Sequence, residues 1–233
     1  MSRLDLVVGP NGAGKSTFVR LILAPILPSS VFVNADVIAG QRWPEDPEPH
    51  AYEAAEIAAA TRERLMDLGH PFIAETVFSH SSKLELVEHA RGAGYVVAVH
   101  ALLVPVELCV HRVAARVVSG GHAVPEEKVR SRYDRLWPLV ADAIEMADTA
   151  TVWDNSGIIG PKQVALFGRG LAVGATSWPS WTPSALVTRF PRAYPSREPT
   201  HRARRVLVAL VLVTVLTGQC AGDRSARGIV TTS

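Results

Sequence analysis

The stretch Leu4-Asp5-Leu6-Val7-Val8-Gly9-Pro10-Asn11-Gly12-Ala13-Gly14-Lys15-Ser16-Thr17, running on into Phe18-Val19-Arg20-Leu21-Ile22-Leu23, decides the fold class. A short apolar run that reads as a strand meets a glycine-rich turn, and the turn opens into an apolar spacing suited to a helix. Gly9, Gly14, Lys15 and Ser16 satisfy the pattern G-x-x-x-x-G-K-S/T in the strand–loop–helix context it requires. Glycine admits backbone conformations barred to residues with a Cβ, so successive N–H groups can turn inward onto phosphate oxygens. The helix beginning near Lys15 aims the positive end of its dipole at the same place. Lys15 is then positioned to reach the β- and γ-phosphates, and the Ser16 hydroxyl to ligate Mg²⁺. The whole loop from Gly9 to Thr17, including Pro10, Asn11, Gly12 and Ala13, is expected to bind a nucleoside triphosphate.

The chain has 233 residues, 48% of them apolar, which suits one α/β domain with an appendage. Its formal charge of +2 is unevenly divided. From Gly168 onward nine arginines face two acids, a balance of +7, which leaves −5 on the first 167 residues. A dedicated nucleic-acid binder would carry a basic surface there, so nucleic acid is not expected as a partner. Cys109 and Cys220 lie far apart and form no C-x-x-C pair, so neither a disulfide framework nor a zinc site is indicated. The first strand pattern leaves no room for a signal peptide, and a cytoplasmic protein is expected.

Beyond the loop, Val31-Phe32-Val33 reads as a second strand ending at Asn34-Ala35-Asp36. A carboxylate just past the end of a parallel strand lies on the edge where such sheets hold ligands, although Asp36 could equally be a helix cap or turn residue. Gln41 to Pro49 reads as an exposed loop and Ala51 to Leu68 as a long helix. A third strand from Pro71 closes with Glu75-Thr76, repeating the placement of Asp36. Two acids on one sheet edge suggest a site that handles a proton and a metal. Thr76 is placed to contact substrate or to shape a turn. Lys83 to Arg91 is a predicted helix and Tyr95 to Val104 a buried central strand, in which His100 reads as a satisfied core residue. No acid ends that strand, so Asp36 or Glu75 must serve any metal.

Val106 to Val118 and Glu126 to Ala147 read as two arginine-bearing helices joined at Gly120-Gly121. Glycines permit motion and guanidinium groups suit phosphate charge, so residues 106–147 are expected to form a lid in which Arg112 and Arg116 share a face and Arg132 meets them across the hairpin. The plainer alternative is a solvated hairpin whose arginines pair with Glu126, Glu127 and Asp134. Ala150 to Trp153 is a predicted fifth strand, after which Asn155 is placed to border adenine or simply to make a turn. Val164 to Phe167 reads as a last short strand. Trp178 and Trp181 are expected to hold an arm on the domain. Val206 to Thr217 is apolar but only twelve residues long, against roughly 20 for a bilayer span. With Arg202, Arg204 and Arg205 before it, the segment leaves membrane-surface contact open without favouring it.

In this order the motifs resemble the zeta-toxin-like P-loop kinases, bacterial enzymes whose best-studied members phosphorylate the 3′-hydroxyl of UDP-N-acetylglucosamine. The residues that carry the resemblance are Gly9 to Thr17, Asn34-Ala35-Asp36, Glu75-Thr76, Arg116, Gly120-Gly121-His122 with Val124-Pro125, Arg132-Tyr133 and Asp154-Asn155-Ser156. They span residues 1 to about 187. The resemblance implies that Lys15 and Ser16 bind phosphates and Mg²⁺, that Asp36 is the base taking the acceptor's proton, and that Glu75 holds substrate or metal. It further implies that Arg116 and Arg132 clamp the transferring phosphate, that ATP is the donor, and that a small helical antitoxin covers the site in toxin members. The expected fold is a three-layer α/β/α P-loop NTPase with a five-stranded parallel sheet, or one strand more, and a helical lid, followed by an Arg-rich extension over 188–233. The readings set against a sugar-nucleotide kinase are a kinase for another small molecule, a polynucleotide kinase, and an ATPase or nucleotide-gated interaction module without an acceptor.

Overall fold

The computed structural model describes residues 2–118 and 124–191. The expected hinge at Gly120-Gly121, His122, and the extension carrying Cys220 and the apolar run 206–217 lie outside the described residues.

The central sheet has seven strands in the order β2-β3-β1-β4-β5-β6-β7. Strands β1 (Arg3–Val8), β2 (Val31–Val33), β3 (Phe72–Thr76), β4 (Val96–Leu103) and β5 (Thr149–Asp154) are mutually parallel. Helices pack on both faces, so β1 and β4 are buried on each side and read as nearly unbroken apolar runs. The parallel five agree with the sequence reading. The sheet then gains β6 (Lys162–Gly168) and β7 (Leu171–Ala172), both antiparallel. Only seven residues, 155–161, separate β5 from β6. That is too short for the crossover a parallel neighbour needs, so the chain must fold straight back. Arg169 and Gly170 both have positive φ, +50° and +75°, and make the tight turn into β7.

The helix after the phosphate loop starts as α1 (Lys15–Phe18), widens into a π turn over Val19–Leu23 and closes as α2 (Ala24–Ile26). Pro25 has no N–H to give the carbonyl four residues back, and the ladder opens around that gap. Helix α3 (Ala35–Arg42) was not anticipated: it begins where the sequence was read as a strand end and runs into a predicted loop. Asn34 starts it by accepting hydrogen bonds on Oδ1 from the N–H groups of Asp36 (2.7 Å) and Val37 (3.1 Å). Helices α4 (Ala51–Asp67), α5 (Ser82–Gly92), α6 (Val106–Val118) and α7 (Glu126–Met146) follow the predicted positions within two residues.

Helix α7 buries eight residues between Val129 and Ile144. Much of the hairpin expected to act as a lid is therefore packed into the body of the domain: Val113 and Val129 are buried, and Val124 lies against the core. The arm after β7 packs as expected: Trp178 is buried, donates from Nε1 to the Phe190 carbonyl at 2.9 Å, and lies against Phe167. Helix α8 (Ser184–Arg189) crosses the boundary expected near residue 187, and the packed body runs through the buried Phe190.

A carboxylate sits in the middle of the strand that reads as apolar. Asp5 is fully buried, receives two hydrogen bonds from the Arg3 guanidinium (2.6 and 2.7 Å), and lies 3.0 Å from Nε2 of His100. Burial alone would raise its pKa, but the hydrogen bonds from His100 and Arg3 outweigh that and hold it below the ordinary carboxylate value. His100 is thus a core residue as expected, but only Nε2 is partnered: the buried Nδ1 finds no hydrogen-bond partner, and the ring packs on Phe18 at the base of the phosphate-loop helix.

Candidate active site

The carboxyl ends of β2, β3 and β1 lie side by side, with Val33 opposite Ala74 and Val8 opposite Thr76. This edge carries a cleft of about 560 Å³ lined by the loop residues Asn11, Gly12, Gly14, Lys15, Ser16 and Thr17. Gly9, Pro10 and Ala13 of the same loop do not line the cleft, and Ala13 is fully buried. Gly12 has φ +77°, and a Cβ there would fall 2.7 Å from the Cys109 carbonyl of α6. Gly14 has φ +82°, and a Cβ there would meet the Asn155 amide at 2.8 Å. Side chains are therefore excluded at both positions by contacts from distant parts of the chain.

Lys15 is only 8% exposed, and its Nζ donates to the Pro10 carbonyl at 3.0 Å and stands 4.0 Å from Oε1 of Glu75. Burial pulls its pKa below the ordinary lysine value, while the negative charges of Glu75 and Asp36 oppose that shift. The Ser16 hydroxyl donates to Oε1 of Glu75 at 3.1 Å, and Nδ2 of Asn34 donates to Oε2 at 2.6 Å. Glu75 is thereby fixed between the phosphate loop and the start of α3. Asn34 thus does two jobs, capping α3 and holding Glu75, and sequence reasoning assigned it neither. The signal was present as an Asn immediately after a strand and before an unrecognised helix.

Since Asn34 is the cap, Asp36 is free of that duty. Its side chain is exposed in the first turn of α3 and lines the same cleft as Lys15 and Ser16. Thr76 also lines the cleft, and its Oγ1 accepts from the Phe78 N–H at 3.3 Å. Phe78 is fully buried at φ +62°, an uncommon conformation for an aromatic residue, in the turn that carries the chain away from the site.

The arginines divide their work. Arg112 and Arg116 line the cleft together, as their one-turn spacing predicts. Arg112 donates to the carbonyls of Asn155 (3.0 Å) and Ser156 (3.4 Å), tying α6 to the loop after β5. Arg132 does not line the cleft, and reaches the loop from the side, with 3.5 Å between a terminal nitrogen and Oδ1 of Asn11. Arg130 follows the plain salt-bridge reading, pairing with Glu107 and Glu126. Asn155, expected beside adenine, donates from Nδ2 to the Ala13 carbonyl at 2.7 Å and so braces the loop from behind. Burial pushes the Cys109 thiol up to about 12, which makes it a packing group rather than a nucleophile.

Among the described residues, no group of three His, Cys, Asp or Glu side chains is gathered to hold a metal ion. The oxygen donors of Ser16 and Glu75, 3.1 Å apart beside the loop, fit a Mg²⁺ ion that takes its remaining ligands from phosphate and water. No helix among the described residues is long and apolar enough to cross a membrane.

Sheet order, loop and buried lysine together define a P-loop NTPase of the kinase or ATPase type. The profile of the family described as an AAA domain (AAA_33) matches residues 4–139, and the chain belongs to that family. An uncharacterized protein of Haemophilus influenzae is 29% identical over 126 residues, covering 54% of this chain and 88% of the relative. Among solved structures, the chain is similar to one in the AvrRxo1-ORF1:-ORF2 complex with ATP, with a TM-score of 0.61 at 15% identity over 74% of this chain. It spans 60% of that chain's length. It is also similar to a chain of the PezAT chromosomal toxin-antitoxin system of Streptococcus pneumoniae, with a TM-score of 0.52 at 14% identity, covering 93% of this chain and 88% of the other. The likeness to zeta-toxin-like P-loop kinases that the motifs imply stands at the level of the fold.

Proposed function

We propose that the protein transfers the γ-phosphoryl group of ATP to a hydroxyl of a small molecule, with UDP-N-acetylglucosamine as the first candidate acceptor. The observation that carries the reading is the placement of Asp36: its carboxylate shares a cleft with the buried Lys15, the Ser16 hydroxyl and the paired Arg112 and Arg116. An acceptor hydroxyl beside Asp36 attacks the γ-phosphorus, the bond from that phosphorus to the β–γ bridging oxygen breaks, and ADP leaves. The hydroxyl proton passes to the Asp36 carboxylate. Lys15 and Arg116 offset charge on the phosphoryl oxygens, and Arg132 holds Asn11 at the loop's flank. Ser16, with Glu75 behind it, would hold a Mg²⁺ ion, which would neutralise phosphate charge. Thr76 and Glu75 border the acceptor's side of the cleft.

The test is incubation with γ-labelled ATP, Mg²⁺ and UDP-N-acetylglucosamine, with Asp36→Ala in parallel. Label is expected on the nucleotide sugar, falling by about 10²- to 10⁴-fold in the variant. Label released only as free phosphate in both proteins would reject this acceptor, and a screen of cell metabolites would seek another. Arg116→Ala is expected to cost on the order of 10³-fold if its guanidinium meets the transferring phosphoryl. The similar PezAT chain comes from a toxin-antitoxin system, which supports an antitoxin protein as a partner here, to be sought by co-purification.

A further inference from the structure

The far end of the cleft, away from the phosphate loop, is made by two helices that none of the assigned chemistry uses. Ala55, Ala58 and Arg62 of α4 line it at a helical spacing, and Ser82, Lys83 and Leu86 face them from α5. The two alanines leave room, and the walls end in two cations. Both Arg62 and Lys83 are half-buried, and among the described residues neither makes an ion pair with a carboxylate. Glu63, the acid next to Arg62, is engaged by His89 at 3.1 Å. Burial lowers the pKa of both groups; the neighbouring charge of Glu63 opposes the shift at Arg62, while the charge of Arg62 lowers Lys83 further. Two like charges held in a partly dehydrated wall, on a domain that is otherwise mildly acidic, are unfavourable unless an anion joins them. Arg62 and Lys83 thus line the same cleft as Lys15 and Asp36.

We infer that Arg62 and Lys83 form an anion subsite that selects an acceptor carrying a phosphate group, and that they hold this group while its hydroxyl lies against Asp36. The inference rests on the kinase reading and names its specificity residues. A guanidinium offers a planar fork and an ammonium a compact point charge, a pair suited to the several oxygens of one phosphate. A neutral acceptor would leave Lys83 without an opposing charge and Arg62 with only the neighbouring Glu63.

The full-length protein, saturated with a non-hydrolysable ATP analogue and Mg²⁺ so that the phosphate loop is filled, is titrated with inorganic phosphate and followed by ³¹P line broadening. A salt-sensitive site is expected, weakened about tenfold in Arg62→Gln or Lys83→Gln and lost in the double variant, with affinity for the analogue unchanged within about twofold. Arg62→Lys and Lys83→Arg, which keep the charges, should retain phosphate binding. Undiminished binding in the double variant overturns the subsite, and so does its complete loss in the charge-preserving variants. Because the readout is binding rather than turnover, failure of the kinase reading would show separately, as phosphate capture without transfer to any acceptor.

Discussion

The two ends of the cleft are built in opposite ways. The phosphate end is a contiguous run, Gly9 to Thr17, whose residue types follow from what backbone N–H groups and one ammonium must do around phosphates. The acceptor end is assembled from α3, α4, the turn after β3 and α5, each contributing one or two side chains. The first can be carried by a motif. The second exists only because the strand order β2-β3-β1 sets three strand ends side by side. The contrast explains why ATP binding follows directly from the residues while the acceptor needs experiment.

Lys15→Ala is the severest way to break the comparison, since it removes the phosphate end's charge and leaves the acceptor end intact. Phosphoryl transfer or ATP hydrolysis should fall by at least about 10³-fold, read with γ-labelled ATP. Phosphate binding at Arg62 and Lys83 should survive, unless the two ends form one electrostatic unit.

Asp5→Asn tests the floor under the phosphate end. Replacing a buried carboxylate that compensates Arg3 and His100 should cost about 3 kcal/mol, measured by urea unfolding. The sign with pH follows from the lowered pKa of Asp5. Its stabilising contribution is complete above the ordinary 3.8 and is lost as pH falls through the lower folded-state value. The wild type should lose stability below about pH 4, and the variant should show less of that loss.

Gly12→Ala sharpens the comparison, because Gly12 belongs to the contiguous end yet is constrained by α6. With φ +77° and the Cys109 carbonyl 2.7 Å from a Cβ, the change should destabilise by about 2 kcal/mol and weaken ATP binding, checked by thermal melting with and without nucleotide. An unaltered melt would mean that α6 gives way and the loop is as local as its motif suggests.

Asn34→Ala cuts the link between the ends. Losing the α3 cap and the hold on Glu75 should cost about 1 kcal/mol of stability. Transfer rate should fall more than ATP affinity, because Asp36 and Glu75 lose their placement while the loop keeps its own. Equal losses in both would place Asn34 in the phosphate end.

Legibility followed the range of the interactions. The five parallel strands, α4 to α7 and the phosphate loop were readable because apolar periodicity and a fixed-spacing motif are local signals. Helix α3 was missed because its start depends on one Asn side chain and its sequence, Ala35–Arg42, has little apolar periodicity. Strand β6 was read, but its direction was not assigned, although the short connection from β5 required the reversal. Asp5 was absorbed into an apolar run because one of its hydrogen-bond partners, His100, lies 95 positions away and the other, Arg3, stands at the strand's first position.

By itself the sequence determined that the chain carries a P-loop between a strand and a helix, and that the scaffold is a parallel sheet with flanking helices. Each of these rests on contacts within a few residues of chain, where residue type fixes geometry. The tertiary structure alone decided that Asn34 rather than Asp36 caps α3, that Glu75 is held against Ser16, that Asn155 braces the loop, and that Arg62 and Lys83 come to line one cleft with the phosphate loop. These depend on which strand ends and helix faces become neighbours, which is set by packing of the whole core and written in no single stretch of the chain.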